Sequence, residues 1–593
     1  YEVTSDYRQI MHKESIGGTP ANRMIHKESN QLFIGPYAID KTGKVRVIPY
    51  TVMSGRHTGN ARHLTDPSNK IYYGTMEEGF YEVDVNTLEV KELYQDGNKK
   101  QQKKNDTDAG PINALLPGVH GKGLYSGQGC MYFTNNGEGT QEALKKFDVE
   151  AGVLAEWNGK EWKVVRRNQF VEVTGPGGIY GNTNPETDPI WATGWDYKSV
   201  ILGVRDAEKG WAFYRLPKAS HSYDGAHGWN TEWPRIRNVG TNDNPDYLMT
   251  MHGMFWRFPK TFSADQTVGI RPRSAYLKVI GDFTRWNDKL VFGCDDSAHK
   301  EFLNKRTVKG DIEGPGQSNS NLWFTDVDKP DKLGSTTAIG AVWIDDLVKS
   351  GEVSEPFLFA GWEKRCAWLR NSGKVSVNIL LEVDEKGNNQ WQKLKTVNVP
   401  AGQSVFVEFT DSEKGEWIRA TPDKSVILSL EFAYTGNERS MENNDSFEGI
   451  SVINDNTSAG ALLYGLGDNR RVLGVLAGTF HGDKFVESGY YELDGNMSLE
   501  KKVDVKTENF IRTRFAIPQN VISIEESSVL IVDDNNRRWR LPLGNEAYKP
   551  LTDAGTLRIC REVATERDLF NCMGTFFELP AENADGFAAK LTC

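Results

Sequence analysis

The segment from Ile71 to Gly97 constrains the fold more than any other part of the sequence. It contains three short runs rich in β-branched and aromatic residues, IYYGT, FYEVDV and EVKELY, which tight polar turns separate. Runs of this kind predict antiparallel strands, and three or four strands joined in this way make one blade of a β-propeller. Looser versions of the pattern recur along the chain as about six or seven units with irregular spacing.

A second pattern, from roughly Glu355 to Tyr434, alternates apolar and polar residues over longer strands and predicts a small β-sandwich. The predicted fold class is therefore all-β, a seven-bladed propeller with an inserted sandwich. Seven blades of about fifty residues use roughly 350 residues, which leaves room for the insertion. We expect residues 1–354 to form the first part of the propeller, 355–435 the sandwich, and 436–593 the remaining blades and the ring closure.

Two more local expectations follow from the sequence. A propeller must close its ring, so the strand-rich segment Ser528–Gly544 is expected to share a blade with an N-terminal strand from Asn30–Asp40. The segment Ala341–Gly351 (AVWIDDLVKSG) is one of the few candidate helices.

Six cysteines allow fifteen full pairings, and Cys560 with Cys572 is the pair that we expect. Cys130, Cys294 and Cys366 lie in strand-like runs and are expected to be buried apolar residues. No spacing of cysteine and histidine suggests zinc. We therefore expect no metal centre and no cofactor, with a structural calcium ion left open.

The chain has 593 residues and a formal net charge of -11, which argues against nucleic acid as a partner. A local pocket of arginine and histidine could still oppose that sign. The mean hydropathy of -0.54 and the absence of a long apolar run predict no membrane span. The chain begins at Tyr1 without a signal peptide, and a processed product is expected in the periplasm, at the cell surface or outside the cell. The oligomeric state is open.

The stretch from Trp191 to Phe258 holds six of the sixteen tryptophans and three of the ten histidines. Sugars fit such a surface, because their C–H faces stack on indole and their hydroxyls need hydrogen-bond partners. The alternative is that these rings form the core of a β-rich protein. The candidate substrate-binding residues of this stretch are His221, Tyr223, Trp229, Glu232, Trp233, Arg235 and Trp256.

Loops next to predicted strands carry further histidines and arginines, about one loop per blade, as a shared pocket at one end of a propeller requires. Turn, capping or calcium-binding roles remain alternatives for several of these residues. The candidate catalytic residues are His120, His227, His252, Arg271 and Arg273. Further candidate substrate-binding residues are Arg56, His57, His63, Lys122, Asp295 and Asp296.

Two chemistries fit this set. Hydrolysis of a glycoside needs two carboxyl groups across the scissile bond. Elimination next to a uronate needs a cation on the carboxylate and a base for the C5 proton. No carboxyl pair stands out, so elimination is modestly favoured, with a histidine among His120, His227 and His252 as the base and an arginine on the carboxylate.

Four segments, TMHGMFWRFPKTFS, GIRPRSAYLKVIGDFTRWNDKLVFGCDDSAH, GPGQSNSNLWF and FLFAGWEKR, resemble large exported bacterial β-propeller proteins of polysaccharide-degrading systems. In architecture the chain is similar to the seven-bladed propeller lyases, such as ulvan lyases, and to the related propeller rhamnosidase. The resemblance implies an enzyme that cleaves an acidic, uronate-containing polysaccharide or oligosaccharide. A glycoside hydrolase on the same scaffold, a non-catalytic glycan-binding protein and a protein-interaction propeller are the alternatives.

Overall fold

The structure is a computed structural model of the chain. It describes residues 22–97, 107, 109–110, 112–143, 148–219, 234–241, 243–276, 280–295, 320–334, 336–436, 458–466, 472–481, 484–514, 522–524, 528–532, 538–542, 559–564, 567–572, 575–579 and 589–590. Antiparallel sheets dominate this part of the chain, which confirms the all-β prediction. Its one α-helix is α1 (Val505–Arg514), and the short 3-10 helices are Ile112–Ala114, Gly178–Tyr180 and Lys329–Asp331.

Six antiparallel meanders follow one another between Met24 and Asp326. The first comprises β1 (Met24–His26), β2 (Gln31–Ile34), β3 (Tyr37–Asp40) and β4 (Val45–Val47). The second comprises β5 (His57–Arg62), β6 (Lys70–Thr75), β7 (Phe80–Asp84) and β8 (Val90–Tyr94). The third comprises β9 (Val119–Gly127), β10 (Cys130–Gly137), β11 (Val153–Trp157) and β12 (Trp162–Arg166).

The next three meanders continue the series. The fourth comprises β13 (Gln169–Thr174), β14 (Ile190–Trp195), β15 (Val200–Asp206) and β16 (Gly210–Leu216). The fifth comprises β17 (Arg235–Asn238), β18 (Tyr247–Met251), β19 (Met254–Phe258) and β20 (Arg271–Ala275). The sixth comprises β21 (Ile280–Trp286), β22 (Lys289–Asp295) and β23 (Ser320–Asp326).

The first strands of successive meanders lie side by side. Strand β1 contacts β5, β5 contacts β9, β9 contacts β13, β13 contacts β17, and β17 contacts β21. Glycines permit this close approach: a Cβ on Gly121 would lie 2.4 Å from the carbonyl oxygen of Thr75, and one on Gly123 would lie 2.5 Å from that of Val171. The glycines that follow His120 therefore serve the packing of β9 against the second and fourth meanders.

The residues just before β1 tie these first strands together. The backbone N–H of Asn22 donates to the carbonyl of Thr58 in β5 (3.0 Å), and its side-chain amide donates to that of Val173 in β13 (3.2 Å). Its side-chain oxygen accepts the N–H of Leu124 in β9 (2.8 Å). Arg23 forms an ion pair with Asp282 in β21, so the first meander is joined to the sixth.

A β-sandwich follows the six meanders. One of its sheets has the strand order β24, β31, β26, β29, and the other has the order β25, β30, β27, β28. The second sheet continues the fourth meander, because β25 pairs with β16 in parallel at Phe357 and Arg215. The strands are β24 (Thr337–Val348), β25 (Phe357–Leu358), β26 (Lys364–Asn371), β27 (Val377–Asp384), β28 (Trp391–Val399), β29 (Ser404–Phe409), β30 (Trp417–Pro422) and β31 (Val426–Thr435).

Three further meanders follow the sandwich. They comprise β32 (Ser458–Gly465), β33 (Leu473–His481), β34 (Lys484–Leu493) and β35 (Leu499–Lys502); β36 (Ile522–Ile524), β37 (Ser528–Val532) and β38 (Arg538–Pro542); and β39 (Ile559–Ala564), β40 (Arg567–Cys572), β41 (Thr575–Leu579) and β42 (Ala589–Lys590). The count of seven blades and the domain boundaries at residues 355 and 435 stay predictions.

Two expectations from the sequence are wrong. Strands β37 and β38 pair with each other and with β36, whereas β2 and β3 lie in the sheet of β1 to β4, so the two terminal segments do not share a sheet. Each strand finds its partners among its sequence neighbours, as consecutive strands usually do. The expected helix Ala341–Gly351 instead lies mostly in β24, because pairing with β31 overrides its local preference.

The cysteine and membrane expectations fall partly within the described residues. Cys294 is buried, and Cys130 and Cys366 are partly buried, all three as free thiols. In the hairpin of β39 and β40, Cys560 pairs with Asn571 and Cys572 pairs with Ile559, so the two cysteines are not direct cross-strand partners, and their disulfide stays a prediction. Within the described ranges, no helix has the length and apolar character that crossing a membrane demands.

The junction of the sandwich with the meanders predicts the effect of Trp417→Ala. The Trp417 ring is fully buried, lies 4.6 Å from the Tyr214 ring and donates its indole N–H to the carbonyl of Thr267 (3.2 Å). Its truncation should lower the free energy of unfolding by about 3–5 kcal/mol. Urea unfolding followed by circular dichroism measures this. Trp286→Ala, at a ring that is 66% exposed, is the control and should change it little; equal effects would contradict the assignment.

Candidate functional site

Five charged residues meet where the first strands converge, and we call them the axial cluster: Arg23, Glu172, Arg235, Arg237 and Asp282. Glu172 comes from β13, the arginines at 235 and 237 from β17, Asp282 from β21, and Arg23 from the residue before β1. Residues two apart in a strand share a face. The sequence RIR therefore directs both guanidinium groups of β17 to the same side.

The two carboxylates of the axial cluster lie between its arginines. Glu172 pairs with Arg235 (3.1 Å between Oε2 and Nη1) and with Arg237. Asp282 lies 3.3 Å from Nε of Arg235 and 3.2 Å from Nε of Arg237, and it also pairs with Arg23. The cluster therefore joins four meanders through charged contacts.

Solvent reaches the axial cluster at one edge. Burial alone would raise the pKa of Asp282, but Arg23, Arg237 and Arg235 hold it well below its ordinary value, so this carboxylate is ionised. Arg23 and Asp282 keep 19% and 21% of their side-chain surface exposed, whereas Glu172 is buried. The accessible edge therefore presents the guanidinium group of Arg23, a group type that binds anionic ligands.

A buried carboxyl group lies in the turn between β6 and β7. Glu78 has a positive φ of 62° and receives one long hydrogen bond, from Nδ2 of Asn135 (3.4 Å). Burial raises the pKa of Glu78 to about 8, against which the Asn135 contact acts only weakly. The adjacent Met76 carbonyl accepts the N–H of Gly121 (3.0 Å), so this turn lies against the start of β9. Glu78 is protonated near neutral pH, as a general acid must be.

Two of the candidate histidines are packed inside the second meander. His57 is buried with its ring 5.7 Å from that of Tyr73, and burial lowers its pKa to about 4. His63 stacks on Tyr72 at 4.3 Å, and its Nε2 lies 2.9 Å from Oε2 of Glu82. His63 thus has both a stacking contact and a carboxylate partner, whereas His57 has the ring contact with Tyr73.

His120 and His252 lie at corresponding ends of their sheets. His120 is the second residue of β9, so it lies where that strand begins. His252 is in the turn between β18 and β19. This turn lies near the beginning of β17, because Thr250 of β18 pairs with Arg235, the first residue of β17. Both have positive φ values, 67° and 45°. The buried His252 ring meets that of Trp195 edge-on at 5.4 Å. Lys122 follows on β9 and is also buried.

The candidate arginines of β20 are held away from that end. The backbone of Arg271 pairs with that of Arg257, at the end of the sheet opposite the β18–β19 turn. Strand β20 reaches the level of that turn only at its last residue, Ala275. Its guanidinium group binds Glu416 of the sandwich through Nη1 (2.8 Å) and Nη2. Arg273 binds Asp331 through Nε (2.8 Å) and Nη2 (2.6 Å). The structure thus gives both arginines carboxylate partners and does not bring Arg271 to His252.

The remaining candidates are placed as follows. Arg56 binds Glu77 (2.6 Å) at the start of β5, and the buried ring of Trp256 meets that of Trp362 at 5.9 Å. The backbone of Asp295 pairs with that of Ser320, and its side chain lies outside the described part of the structure. The candidates outside the described residues are His221, Tyr223, His227, Trp229, Glu232, Trp233 and Asp296. The catalytic and binding roles of all these candidates stay predictions.

The sequence analysis missed Arg23, Glu172, Asp282 and Glu78. A signal was present for one of them: Glu172 is the sole charged residue of the otherwise uncharged strand QFVEVT, where an acid must be paired. Among the described residues, no group of three or more histidine, cysteine, aspartate or glutamate side chains could hold a metal ion.

Comparison with known proteins gives no family assignment. No protein-family model matches the chain, and no curated protein matches it. Among solved structures, it is similar to U3-55K at 10% identity, covering 54% of this chain and 97% of that one, with a TM-score of 0.28. It is also similar to a glycoside hydrolase family 43 arabinoxylan arabinofuranohydrolase from Bacillus subtilis (10% identity, 69% and 88% covered, TM-score 0.22).

A third similar structure is the exo-beta-1,3-galactanase from Phanerochaete chrysosporium (9% identity, 68% of this chain and all of that one covered, TM-score 0.23). With TM-scores this low, none of the three likenesses carries an argument about activity.

The protonated state of Glu78 predicts a pH-dependent stability. The folded chain keeps this proton up to a pH of about 8, whereas the unfolded chain releases it above about 4.5, so the free energy of unfolding falls as pH rises between these values. Glu78→Gln removes that loss. Relative to the unmodified chain, the variant should gain stability progressively across this interval and gain no more above it, as urea unfolding at a series of pH values will measure.

The control is Glu89→Gln, at an exposed turn position, which should follow the unmodified chain at every pH. A stability difference for Glu78→Gln that is constant with pH would show that Glu78 is ionised in the folded chain.

Proposed function

We propose that this chain is a carbohydrate-active enzyme that binds a uronate-containing glycan at the axial cluster and cleaves its glycosidic bonds by β-elimination. The scaffold that we propose is a seven-bladed β-propeller with an inserted β-sandwich, and we propose that the protein acts outside the cytoplasm. The observation that carries the functional proposal is the convergence of three guanidinium groups, one of them accessible to solvent, at the point where the first strands of four meanders meet.

The guanidinium groups of the axial cluster are opposite in sign to the net charge of the chain. With a net charge of -11, the chain as a whole repels acidic polymers, so a local group of arginines selects where such a polymer binds. Guanidinium groups bind carboxylates through paired N–H donors. The segment HSYDGAHGWNTEW, which precedes Pro234 and Arg235 in the sequence, is rich in the aromatic and polar residue types that sugars favour. A uronate has both a carboxylate, which arginine binds, and a sugar ring, which aromatic and polar groups bind.

In the proposed reaction, a base removes the proton at C5 of the uronate while the bond from C4 to the glycosidic oxygen breaks. The electron pair of the C5–H bond forms the C4–C5 double bond, and the departing oxygen takes up a proton. An arginine of the axial cluster lowers the cost of the charge that develops on the carboxylate. His120 of the third meander and His252 of the fifth, at corresponding ends of their sheets, are the proposed bases among the described residues.

Hydrolysis on the same scaffold is the second candidate, and Glu78 is the observation that favours it. A carboxyl group whose pKa is raised to about 8 is protonated at neutral pH and could donate to the leaving oxygen. An ionised carboxylate must then act on the other side of the bond. In this case Glu78→Gln should reduce turnover by about 10²- to 10⁴-fold.

The experiment is incubation of the chain with a panel of acidic polysaccharides, followed by both ultraviolet absorbance of unsaturated uronate and a reducing-end assay. New absorbance supports elimination. Reducing ends without absorbance support hydrolysis, and binding without either product supports a non-catalytic glycan-binding protein. No binding to any acidic glycan would overturn the proposal.

The variant Arg23→Met tests the role of the axial cluster. Arg23 is the most exposed arginine of the cluster, with 19% of its side-chain surface accessible, and its loss leaves Glu172 paired with Arg235 and Arg237. We expect kcat/KM on the acidic substrate to fall by about tenfold or more. The matched control is Arg62→Met, at an arginine that pairs with Glu28 on the outside, which should keep its activity. Equal activity of both variants would remove the cluster from the mechanism.

A further inference from the structure

The outer face of the sandwich carries an exposed aromatic pair that the proposed active site does not use. Trp368 on β26 and Phe406 on β29 are direct cross-strand partners, with ring centroids 4.7 Å apart. They are 47% and 51% exposed, although the residues on either side of each are buried or half-buried. Two neighbouring rings on a rigid sheet form a platform of fixed geometry.

Hydrogen-bonding groups flank this platform on the same face. Glu431 of β31 is the cross-strand partner of Trp368 on the side away from Phe406. Its carboxyl group has no hydrogen bond within the described part of the chain; burial, together with the nearby Asp345, raises its pKa to about 7. Near neutral pH such a group can both donate and accept hydrogen bonds. Arg370, two residues after Trp368, is exposed beside it.

The surroundings of the platform set its shape. Small side chains occupy the neighbouring positions: Ala433 and Ser429 on β31 lie two residues on either side of Glu431, and Ala341 of β24 is its other partner. Ser429 and Ala341 are buried, so the accessible part of the face ends at the half-buried Glu431 and comprises this residue with Trp368 and Phe406.

We propose that this face is a second carbohydrate-binding site, separate from the axial cluster, which takes an uncharged segment of a glycan chain. Pyranose rings present C–H faces to stack on the two aromatic rings and hydroxyl groups to meet the flanking carboxyl and guanidinium groups. The charges argue for an uncharged ligand, since the face has no positive surplus. Its charged residues are Asp345, Glu408 and Glu431 against Lys364 and Arg370.

The size of the platform argues against a protein partner. A stable protein interface buries about 800 Å² on each side and has an apolar centre. Here the apolar part is one pair of rings, and the row of Ser429, Arg370 and Ser404 separates it from the exposed Leu347 and Ile427. This proposal does not depend on the proposed catalytic activity, because it is tested by binding alone.

The test is affinity gel electrophoresis of the full chain in gels that contain a soluble neutral polysaccharide: xylan, galactan or mixed-linkage β-glucan in turn. We expect retardation in at least one gel. Trp368→Ala and Phe406→Ala should each weaken the binding by about tenfold or more, since each removes a stacking surface. Trp368→Tyr should retain most of the binding, because it keeps a ring at that position.

The matched control is Trp286→Ala, an exposed tryptophan on β21 outside the sandwich, which should bind like the unmodified chain. Circular dichroism checks that every variant is folded. The proposal is overturned if no neutral polysaccharide slows the migration of the chain, or if binding survives both alanine substitutions. Sedimentation experiments test whether a second copy of the chain occupies this face instead. A dimer of the unmodified chain that the Trp368→Ala substitution dissociates would also overturn the proposal.

Discussion

Glu172 is a carboxylate with no exposed surface, and it lies between two arginines of the neighbouring sheet. Removing one partner from such a buried pair usually costs about 3–5 kcal/mol, because the other charge is left without compensation. The apolar contacts between meanders are non-directional. The contacts of Glu172 and Asp282 are directional, since each carboxylate must meet guanidinium groups that other sheets hold in place. The charged contacts therefore determine how the first strands of these meanders lie relative to one another.

The same contacts connect the fold to the proposed function. Arg23 lies at the accessible edge of the cluster: it comes from the residue before β1, pairs with Asp282 and keeps 19% of its side-chain surface exposed. It is therefore the guanidinium group of the cluster that a ligand reaches first. Because Asn22 is bonded to three first strands, this arginine is held in position by the scaffold.

The parts of the fold that local pattern determines were predictable. The three strands expected between Ile71 and Gly97 are β6, β7 and β8, because alternation and turn chemistry act within a few residues. The choice of a distant partner was not. The segment AVWIDDLV of β24 resembles a short helix until β31 is available to pair with it, and the strand Ser528–Val532 finds a neighbour closer in sequence than the N-terminal strands.

The candidate site was predictable only in part, for a related reason. Arg235 was singled out from its aromatic neighbourhood, but a sequence does not reveal which arginines already have carboxylate partners. Arg271 is bound to Glu416, 145 positions away, and Arg273 is bound to Asp331. Conversely, nothing in the local sequence around Arg23 or Asp282 indicates that the two form an ion pair, because their contact depends on how the meanders between them are arranged.

The central claim is that the axial cluster binds the carboxylate of an acidic sugar, and calorimetric titration with a matched pair of ligands tests it most directly. The pair is an oligogalacturonide and its fully methyl-esterified form, which differ in charge and little in shape. We predict that the acid binds, that its affinity falls with rising salt, and that the ester binds about tenfold or more weakly. Equal affinity for the two forms, or no binding of the acid, would contradict the account.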